Sequence, residues 1–162
     1  AYTTRVGEGP FVTELLGEFG EKVRQIGGEY GAVTGRARRC GWLDLVVGRY
    51  ATMINGLTDI VITKSDVLSG LGKLKICTAY EIDGERYESV PANTDLLYRA
   101  KPIYEELDGW DEDITKVQKY EDLPENCKKY LKRIEEIVKC KISVVYEGGY
   151  HETALGIIYY FL

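Results

Sequence analysis

Three arginines, Arg36, Arg38 and Arg39, lie within four positions of the chain, directly after a stretch rich in glycine. Guanidinium groups are planar, stay charged, and bind phosphates and carboxylates through paired hydrogen bonds. The small residues before them allow the backbone to approach a ligand closely. Residues 31–39, here called the arginine loop, are therefore predicted to bind a small anion.

A second polar group, Thr63, Lys64, Ser65 and Asp66, follows the β-branched run at 59–63 and is here called the lysine turn. Ligands of open α/β sheets bind at the carboxyl ends of strands. A carboxylate there can accept hydrogen bonds from the ring N–H and amino group of guanine, which adenine cannot offer, while a lysine stem packs on the base. The spacing resembles the Asn-Lys-x-Asp guanine element of GTPases. A helix cap made by Ser65 or Asp66 is the alternative.

Composition and charge limit the kinds of ligand. The chain has 162 residues, of which 44% are hydrophobic and 29% charged, and its net charge is −5. These values exclude a disordered chain. The negative charge argues against a general nucleic-acid or anionic-membrane binder, because both need a basic face. The basic cluster of the arginine loop is local, so a small anionic ligand is expected.

The cysteines are scattered, and the single histidine, His151, is expected to be an ordinary surface residue. A zinc site needs closer ligand spacing, so no metal site is predicted. Reduced cysteines indicate a cytoplasmic protein, and no apolar run approaches the length of a membrane span. The first residue is Ala1 rather than Met, and we expect the chain to be the later part of a longer protein. The four cysteines are Cys40, Cys77, Cys127 and Cys140.

The order of elements predicts an α/β fold that forms a single domain over 1–162, because helical and β-branched segments alternate. Asp83 and Gly84 predict a tight hairpin turn between two strands. Residues 91–121 are expected to be irregular. The predicted helices are 11–26 (opened near Thr13), 42–57 (with Asp44 in its first turn) and 125–139, and the predicted strands are 59–63, 73–82, 85–90 and 142–145.

Several long, ordered segments together resemble the adenylosuccinate synthetase family. The resemblance runs from residue 1 to about residue 145 and covers only the carboxyl-terminal part of the family's chain. The matching segments are residues 2–15, 31–44, 63–68, 102–105 with 109–110, and 130–135.

The resemblance implies a fold, a reaction and partners. The fold would be part of a P-loop NTPase-like architecture, with a mostly parallel central sheet, flanking helices and a small antiparallel hairpin. The reaction would be the GTP- and Mg²⁺-dependent joining of L-aspartate to inosine monophosphate (IMP), giving adenylosuccinate in purine biosynthesis. The full-length enzyme would be a homodimer. GTP would phosphorylate the purine six-oxygen, and the aspartate amine would then displace phosphate.

Site residues follow from the motif match alone. Thr34 would hydrogen-bond the aspartate carboxylate, Arg36 would pair with aspartate and approach IMP, and Arg38 would lie near both aspartate and the GTP phosphates. Lys64 and Asp66 would hold guanine. Arg39 is expected to be structural, with Asp44 as its partner. The substrate-binding set is Val6, Gly7, Ala32, Val33, Thr34, Gly35, Arg36, Ala37 and Arg38, and the GTP-binding set is Arg38, Lys64, Ser65, Asp66, Tyr146, Glu147 and Gly148.

The chain also departs from the family pattern. The family's phosphate loop, acid–base groups and Mg²⁺ ligands belong to its amino-terminal half, so no catalytic or metal residue is expected here, and the chain alone is expected to be inactive. Val33 replaces a threonine usual in the family, and residues 146–162 form an atypical tail that ends in an apolar run. The alternatives left open are a non-catalytic guanine-nucleotide or anion-binding module and an inactive fragment.

Overall fold

A computed structural model describes residues 1–146 of the chain. It contains eight strands and three α-helices within that range. The strands are β1 (Thr3–Arg5), β2 (Arg39–Gly41), β3 (Leu43–Asp44), β4 (Asp59–Thr63), β5 (Lys73–Ile82), β6 (Glu85–Tyr87), β7 (Lys101–Asp108) and β8 (Lys141–Tyr146), and the helices are α1 (Gly17–Gly27), α2 (Leu45–Asn55) and α3 (Glu125–Val138).

The strands form one four-stranded sheet and two strand pairs. β5 pairs parallel with β3 and antiparallel with β6 and β7. β4 and β8 form a parallel pair, and β1 and β2 an antiparallel one. The predicted α/β class and the Asp83-Gly84 hairpin are confirmed. Within the described residues the strand pairing is mixed. The four-stranded sheet combines one parallel pair, β3–β5, with two antiparallel pairs, and β4–β8 is a separate parallel pair.

The core is built where α3 packs against α2, β7 and β8, and it also includes buried residues of β5. The apolar face of α3 supplies Tyr130, Leu131 and Ile134, which are all almost fully buried. The Tyr130 ring meets Trp110 edge-on at a centroid distance of 5.8 Å. A buried helix face of this kind provides most of the helix's stability, because isolated helices of this length are marginal in water.

The start of α1 differs from the prediction of a helix over 11–26. Residues 11–16 are not helical. Glu14 N–H donates to the Phe11 carbonyl in a turn, Leu15 N–H donates to the Cys40 carbonyl, and Glu14 forms a bridge with Gly41. Thr13 is therefore buried beside β2 rather than at a helix start. Long-range pairing has replaced the local helical preference of this segment.

The start of α2 also differs from the prediction of a helix over 42–57. Asp44 is the N-cap rather than a first-turn residue, and its carboxylate accepts from the N–H groups of Val46 and Val47. The same carboxylate accepts from the Tyr80 hydroxyl at 2.6 Å. Burial raises the pKa of Asp44 above its usual range despite these hydrogen bonds.

β7 was missed by the prediction of an irregular stretch at 91–121. It pairs antiparallel with β5 along most of its length. Its exposed Glu106 and Asp108 pair with Lys75 and Lys73 of β5, so charge replaces the apolar alternation that identifies a strand. The predicted strand at 59–63, the strand at 73–82 and the helix that ends near Lys139 are confirmed. The return strand is shorter than 85–90, and the tail beyond residue 146 lies outside the described residues.

Candidate functional site

The arginine loop is a closed hairpin whose stem is held by backbone contacts. Arg38 N–H donates to the Glu29 carbonyl at 2.9 Å, and Gly31 N–H donates to the Arg36 carbonyl at 2.8 Å. Tyr30 and Ala37 form the bridge between these two contacts. Gly35 has φ +64°, which only glycine adopts without strain. The stem fixes where the arginines leave the loop.

The tip of this loop is open to solvent. Ala32, Val33, Thr34 and Gly35 are exposed, and Val33 is 98% exposed. The Arg36 side chain is exposed too, and it forms no ion pair within residues 1–146. An extended cation on a fixed stem, with solvent around it, can receive a carboxylate without first breaking a protein contact.

Arg38 and Arg39 point to different partners. Arg38 Nη1 donates to Glu29 Oε2 at 3.1 Å, and its side chain stays 37% exposed. Arg39 binds Glu14 in a bidentate pair, with Nε to Oε1 at 2.7 Å and Nη2 to Oε2 at 2.6 Å. The prediction that Arg39 pairs with Asp44 is wrong, because the Asp44 carboxylate accepts backbone hydrogen bonds at the α2 N-cap.

Arg39 also holds the amino-terminal loop, residues 6–10. Its Nη1 donates to the carbonyls of Gly9 at 2.9 Å and Gly7 at 3.3 Å. Its guanidinium lies 5.5 Å from the centre of the Phe11 ring. Val6 is 76% exposed, at the outer surface of this loop. One side chain at the end of the arginine loop therefore fixes the loop that carries Val6 and Gly7.

The lysine turn begins where β4 ends. Lys64 has φ +56°, an uncommon conformation for a residue with a side chain. Ser65 is fully buried, and its side chain makes no cap hydrogen bond to the short 3-10 turn Asp66–Leu68 that follows. The structure thus does not show the Ser65 cap that was the alternative reading of this motif.

Lys64 reaches back to the end of α1. Its ammonium donates to the Gly27 carbonyl at 2.7 Å and to Glu29 Oε1 at 2.9 Å, while the side chain remains 44% exposed. A cation is stabilised at a helix carboxyl terminus, where the last carbonyls are unpaired and the helix dipole is negative. The ammonium is held by the protein, and the lysine stem remains partly open to solvent.

Glu29 joins the two motifs. It is 3% exposed, and its carboxylate accepts from Lys64, from Arg38 and from the Tyr2 hydroxyl at 2.7 Å. Burial pushes the pKa of Glu29 upward, but hydrogen bonds from Tyr2 and Lys64 outweigh it and hold that pKa below its usual range. Burial and the Glu29 carboxylate raise the pKa of Tyr2, so its hydroxyl stays protonated as a donor. The carboxylate is charged at neutral pH and is paired from three sides.

Glu29 and Tyr2 were not predicted as site residues from the sequence. Glu29 follows the two glycines that end α1, and nothing in its spacing separates it from a surface glutamate. The only signal was a charged residue between a helix stop and the arginine loop. Of the predicted site residues, the structure brings Arg38 and Lys64 to one carboxylate, while Arg36 and the loop tip lie at the surface. Tyr146 is the last described residue, and Glu147 and Gly148 lie outside the described range.

The described residues offer no metal cluster at these loops. No group of three His, Cys, Asp or Glu side chains between residues 1 and 146 could hold a metal ion. A cavity of about 610 Å³ lies elsewhere, between α3, β8 and residues 117–120. In the part of the chain that is described, no helix is long and apolar enough to cross a membrane. The tip of the arginine loop is an open surface, whereas the lysine turn is partly buried.

Comparison with known proteins identifies the family. The family model for adenylosuccinate synthetase matches residues 1–154. The chain belongs to the adenylosuccinate synthetase family. This confirms the resemblance found in the sequence, and it places the chain in a family of ligases.

The adenylosuccinate synthetase of Fusobacterium nucleatum is 78% identical over 148 residues, which cover 91% of this chain and 35% of that protein. The enzyme of Bifidobacterium adolescentis is 57% identical over 157 residues, covering 97% of this chain and 37% of that protein. A structure of fully ligated adenylosuccinate synthetase from Plasmodium falciparum matches with a TM-score of 0.84 and 41% identity, over 89% of this chain and 35% of that one. The chain spans about a third of the length of these adenylosuccinate synthetases.

Proposed function

We propose that this chain supplies the aspartate-binding loop and the guanine-binding turn of an adenylosuccinate synthetase. The enzyme would join L-aspartate to IMP, with GTP and Mg²⁺, to give adenylosuccinate. The observation that carries the proposal is the shared Glu29 carboxylate, because it places a cation of the arginine loop beside a cation of the lysine turn. A non-catalytic module is less favoured, given the close similarity to complete enzymes of this family.

The arginine loop would bind the aspartate substrate. Aspartate brings two carboxylates, which need concentrated positive charge, and Arg36 is an exposed cation without an ion pair among the described residues. Thr34 lies at the tip, where its hydroxyl accepts from the Arg36 backbone N–H at 3.3 Å and could donate to a carboxylate. The backbone from Ala32 to Ala37 would line the site, with Val6 and Gly7 of the neighbouring loop beside IMP.

The lysine turn would bind guanine. The Lys64 ammonium is fixed to Glu29 and to the end of α1, so the aliphatic stem can lie along the base plane. The Asp66 carboxylate would accept hydrogen bonds from the two guanine donors. Ser65 is buried between them and would support the turn. Arg38, Tyr146, Glu147 and Gly148 would complete the nucleotide site.

In the first step of the reaction, negative charge would develop between IMP and the γ-phosphate of GTP. The six-oxygen of IMP would attack the γ-phosphate and release GDP, and the aspartate amine would then displace phosphate at carbon six. Preplaced guanidinium groups stabilise such developing charge. The described residues do not fit a Mg²⁺ site. The remaining two thirds of the enzyme would bind the ion and would also supply the acid–base side chains.

The setting of the enzyme is part of the proposal. The four cysteines are buried and form no disulfide among the described residues, which suits a reducing cytoplasm. We propose a homodimer for the full-length enzyme, as the family resemblance implies. IMP, L-aspartate and GTP are then the partners of this chain, and neither nucleic acid nor a membrane is among them.

The guanine assignment is tested by Asp66→Asn in the full-length enzyme. An amide cannot accept both guanine donors, but its NH₂ group can donate to the carbonyl oxygen that xanthine carries at carbon two in place of the guanine amino group. We expect kcat/KM for GTP to fall about 100-fold or more, since each lost bidentate contact costs a few kcal/mol. The ratio of XTP use to GTP use should rise. Adenylosuccinate formation is followed by ultraviolet absorbance.

The matched control is Asp83→Asn, an exposed carboxylate in the β5–β6 turn, paired with Arg99 at the surface. It makes the same chemical change away from the proposed site. Unchanged nucleotide preference in Asp66→Asn would overturn the guanine assignment. Absence of adenylosuccinate formation by the unaltered enzyme would overturn the proposed function itself.

A further inference from the structure

Glu29 links two loops that the proposed function assigns to different substrates. Its backbone carbonyl accepts from Arg38 N–H and so closes the stem of the arginine loop. Its side chain accepts from Lys64 of the lysine turn and from the Arg38 guanidinium. No other residue in the described range pairs with both Lys64 and Arg38.

The bridge is well placed to transmit small movements. Glu29 is 3% exposed, and its two oxygens are divided between the loops, since Oε1 accepts from Lys64 and Oε2 from Arg38. Because the Glu29 carboxylate is buried, its attraction to each partly exposed cation is screened less than that of a pair at the open surface. A shift of this carboxylate towards one cation therefore changes its geometry with the other.

Both cations keep free donors for ligands. Lys64 uses two of its ammonium hydrogens on Gly27 and Glu29, and Arg38 uses one guanidinium nitrogen on Glu29. Their side chains remain 44% and 37% exposed. Each can therefore contact substrate while it stays attached to the same buried carboxylate.

We propose that Glu29 is a positioning residue that couples the guanine site to the aspartate loop. The inference rests on the proposed function. When guanine packs on Lys64, the ammonium is fixed against Glu29, and Glu29 in turn holds Arg38 in the orientation that receives aspartate. Because binding free energies are reciprocal, bound aspartate should strengthen nucleotide binding by the same factor.

The experiment measures this coupling in the full-length enzyme with IMP present. The dissociation constant of L-aspartate is determined by calorimetry, with and without the β,γ-imido analogue of GTP, which prevents turnover. We expect the analogue to tighten aspartate binding about fivefold or more in the unaltered enzyme. In Glu29→Gln the factor should fall close to one, because the amide keeps the shape but loses the charge that holds both cations.

Three further variants separate positioning from a general structural role. Glu105→Gln breaks a matched carboxylate–arginine pair between β7 and α3, outside both loops, in which Arg133 binds both oxygens at 2.7 and 2.8 Å. It should lower the melting temperature and leave the coupling factor unchanged. Glu29→Asp keeps the charge on a shorter side chain and should restore part of the coupling. If Glu29→Gln does not fold, Lys64→Met breaks the same bridge and should also remove the coupling.

Each outcome decides the matter. Loss of coupling in Glu29→Gln but not in Glu105→Gln supports the inference. Coupling that persists in Glu29→Gln, or in Lys64→Met, overturns it, as does an unaltered enzyme that binds both ligands without coupling. An unaltered enzyme that binds neither the GTP analogue nor L-aspartate overturns the proposed function instead.

Discussion

Arg39 shows how the role of a single residue depends on its neighbours. The sequence predicts that Arg39 is structural and pairs with Asp44, whereas in the structure Arg39 is bound by Glu14 and by two backbone carbonyls of the amino-terminal loop. All three guanidinium nitrogens of Arg39 donate hydrogen bonds within the protein. A ligand would therefore meet Arg36 and Arg38, while Arg39 determines the shape of the surface beside them.

Arg39→Lys keeps the charge and removes the planar fork. A lysine cannot make the bidentate pair with Glu14 and also donate to the Gly7 and Gly9 carbonyls, so the amino-terminal loop should loosen. Because that loop carries Val6 and Gly7, we expect KM for IMP to rise about tenfold, with a smaller change in KM for GTP. Steady-state kinetics of the full-length enzyme measure both. A larger change for GTP than for IMP would contradict this role.

At the scale of elements, close approaches of backbone fix how the strands meet. A Cβ at Gly109 would lie 2.1 Å from the Gly72 carbonyl oxygen, so the chain that follows β7 can pass the start of β5 only without a side chain. A Cβ at Gly48, inside α2, would meet Val138 and Leu45 at ordinary contact distances of 3.5 and 3.6 Å. The two glycines therefore differ in kind.

We expect Gly109→Ala to lower the free energy of unfolding by about 1–3 kcal/mol, because backbone must move to admit the methyl group. Gly48→Ala is the matched control. It should be neutral or stabilising by up to about 1 kcal/mol, since alanine favours the helix. Urea denaturation measures both changes. Equal stability of the two variants would show that the approach at Gly109 relaxes freely.

Elements with a clear apolar period could be predicted from the sequence, whereas those fixed by long-range contacts could not. The buried face of α3 and the alternation of β5 were visible in the spacing of their apolar residues. β7 was not, because its exposed positions pair through charge with β5. The predicted start of α1 was wrong because residues 14 and 15 pair with β2.

The candidate site divides in the same way. The residue types and order of the arginine loop and the lysine turn identify them without any structure. Their connection could not be predicted, because Glu29 is marked only by its burial and by the three donors that meet it. Burial of a charged residue depends on the whole fold, and a single sequence carries no direct sign of it.

For the whole molecule, carboxylates that accept hydrogen bonds from other side chains set the response to acid. Hydrogen bonds from Arg39 hold the pKa of Glu14 below its usual value of 4.5. Burial raises the pKa of Glu29, but hydrogen bonds from Tyr2 and Lys64 outweigh burial and lower that pKa. A lowered pKa in the folded state means that the unfolded chain binds protons first. The stability from these two groups is therefore complete above pH 4.5 and is lost as the pH falls through their folded pKa values.

Glu14→Gln tests this dependence. At pH 7 we expect it to reduce the free energy of unfolding by about 2 kcal/mol, the usual value of hydrogen bonds to charged groups. The difference from the unaltered protein should shrink as the pH falls below 4.5, where the unaltered Glu14 also becomes protonated. Urea titrations at a series of pH values give both curves. A difference that stays constant down to pH 3 would show that the Arg39 pair does not carry this stability.

The hairpin stem at residues 29–31 and 36–38 has a consequence for how such proteins change over time. Since the stem is closed by backbone hydrogen bonds, the side chains of Ala32 and Val33 at the exposed tip do not contribute to holding the loop together. Mutations there can change the surface of the loop tip at little cost to folding. If the arginine loop binds L-aspartate as proposed, selection could alter which amino acid is accepted through these two positions, while the arginines stay where they are.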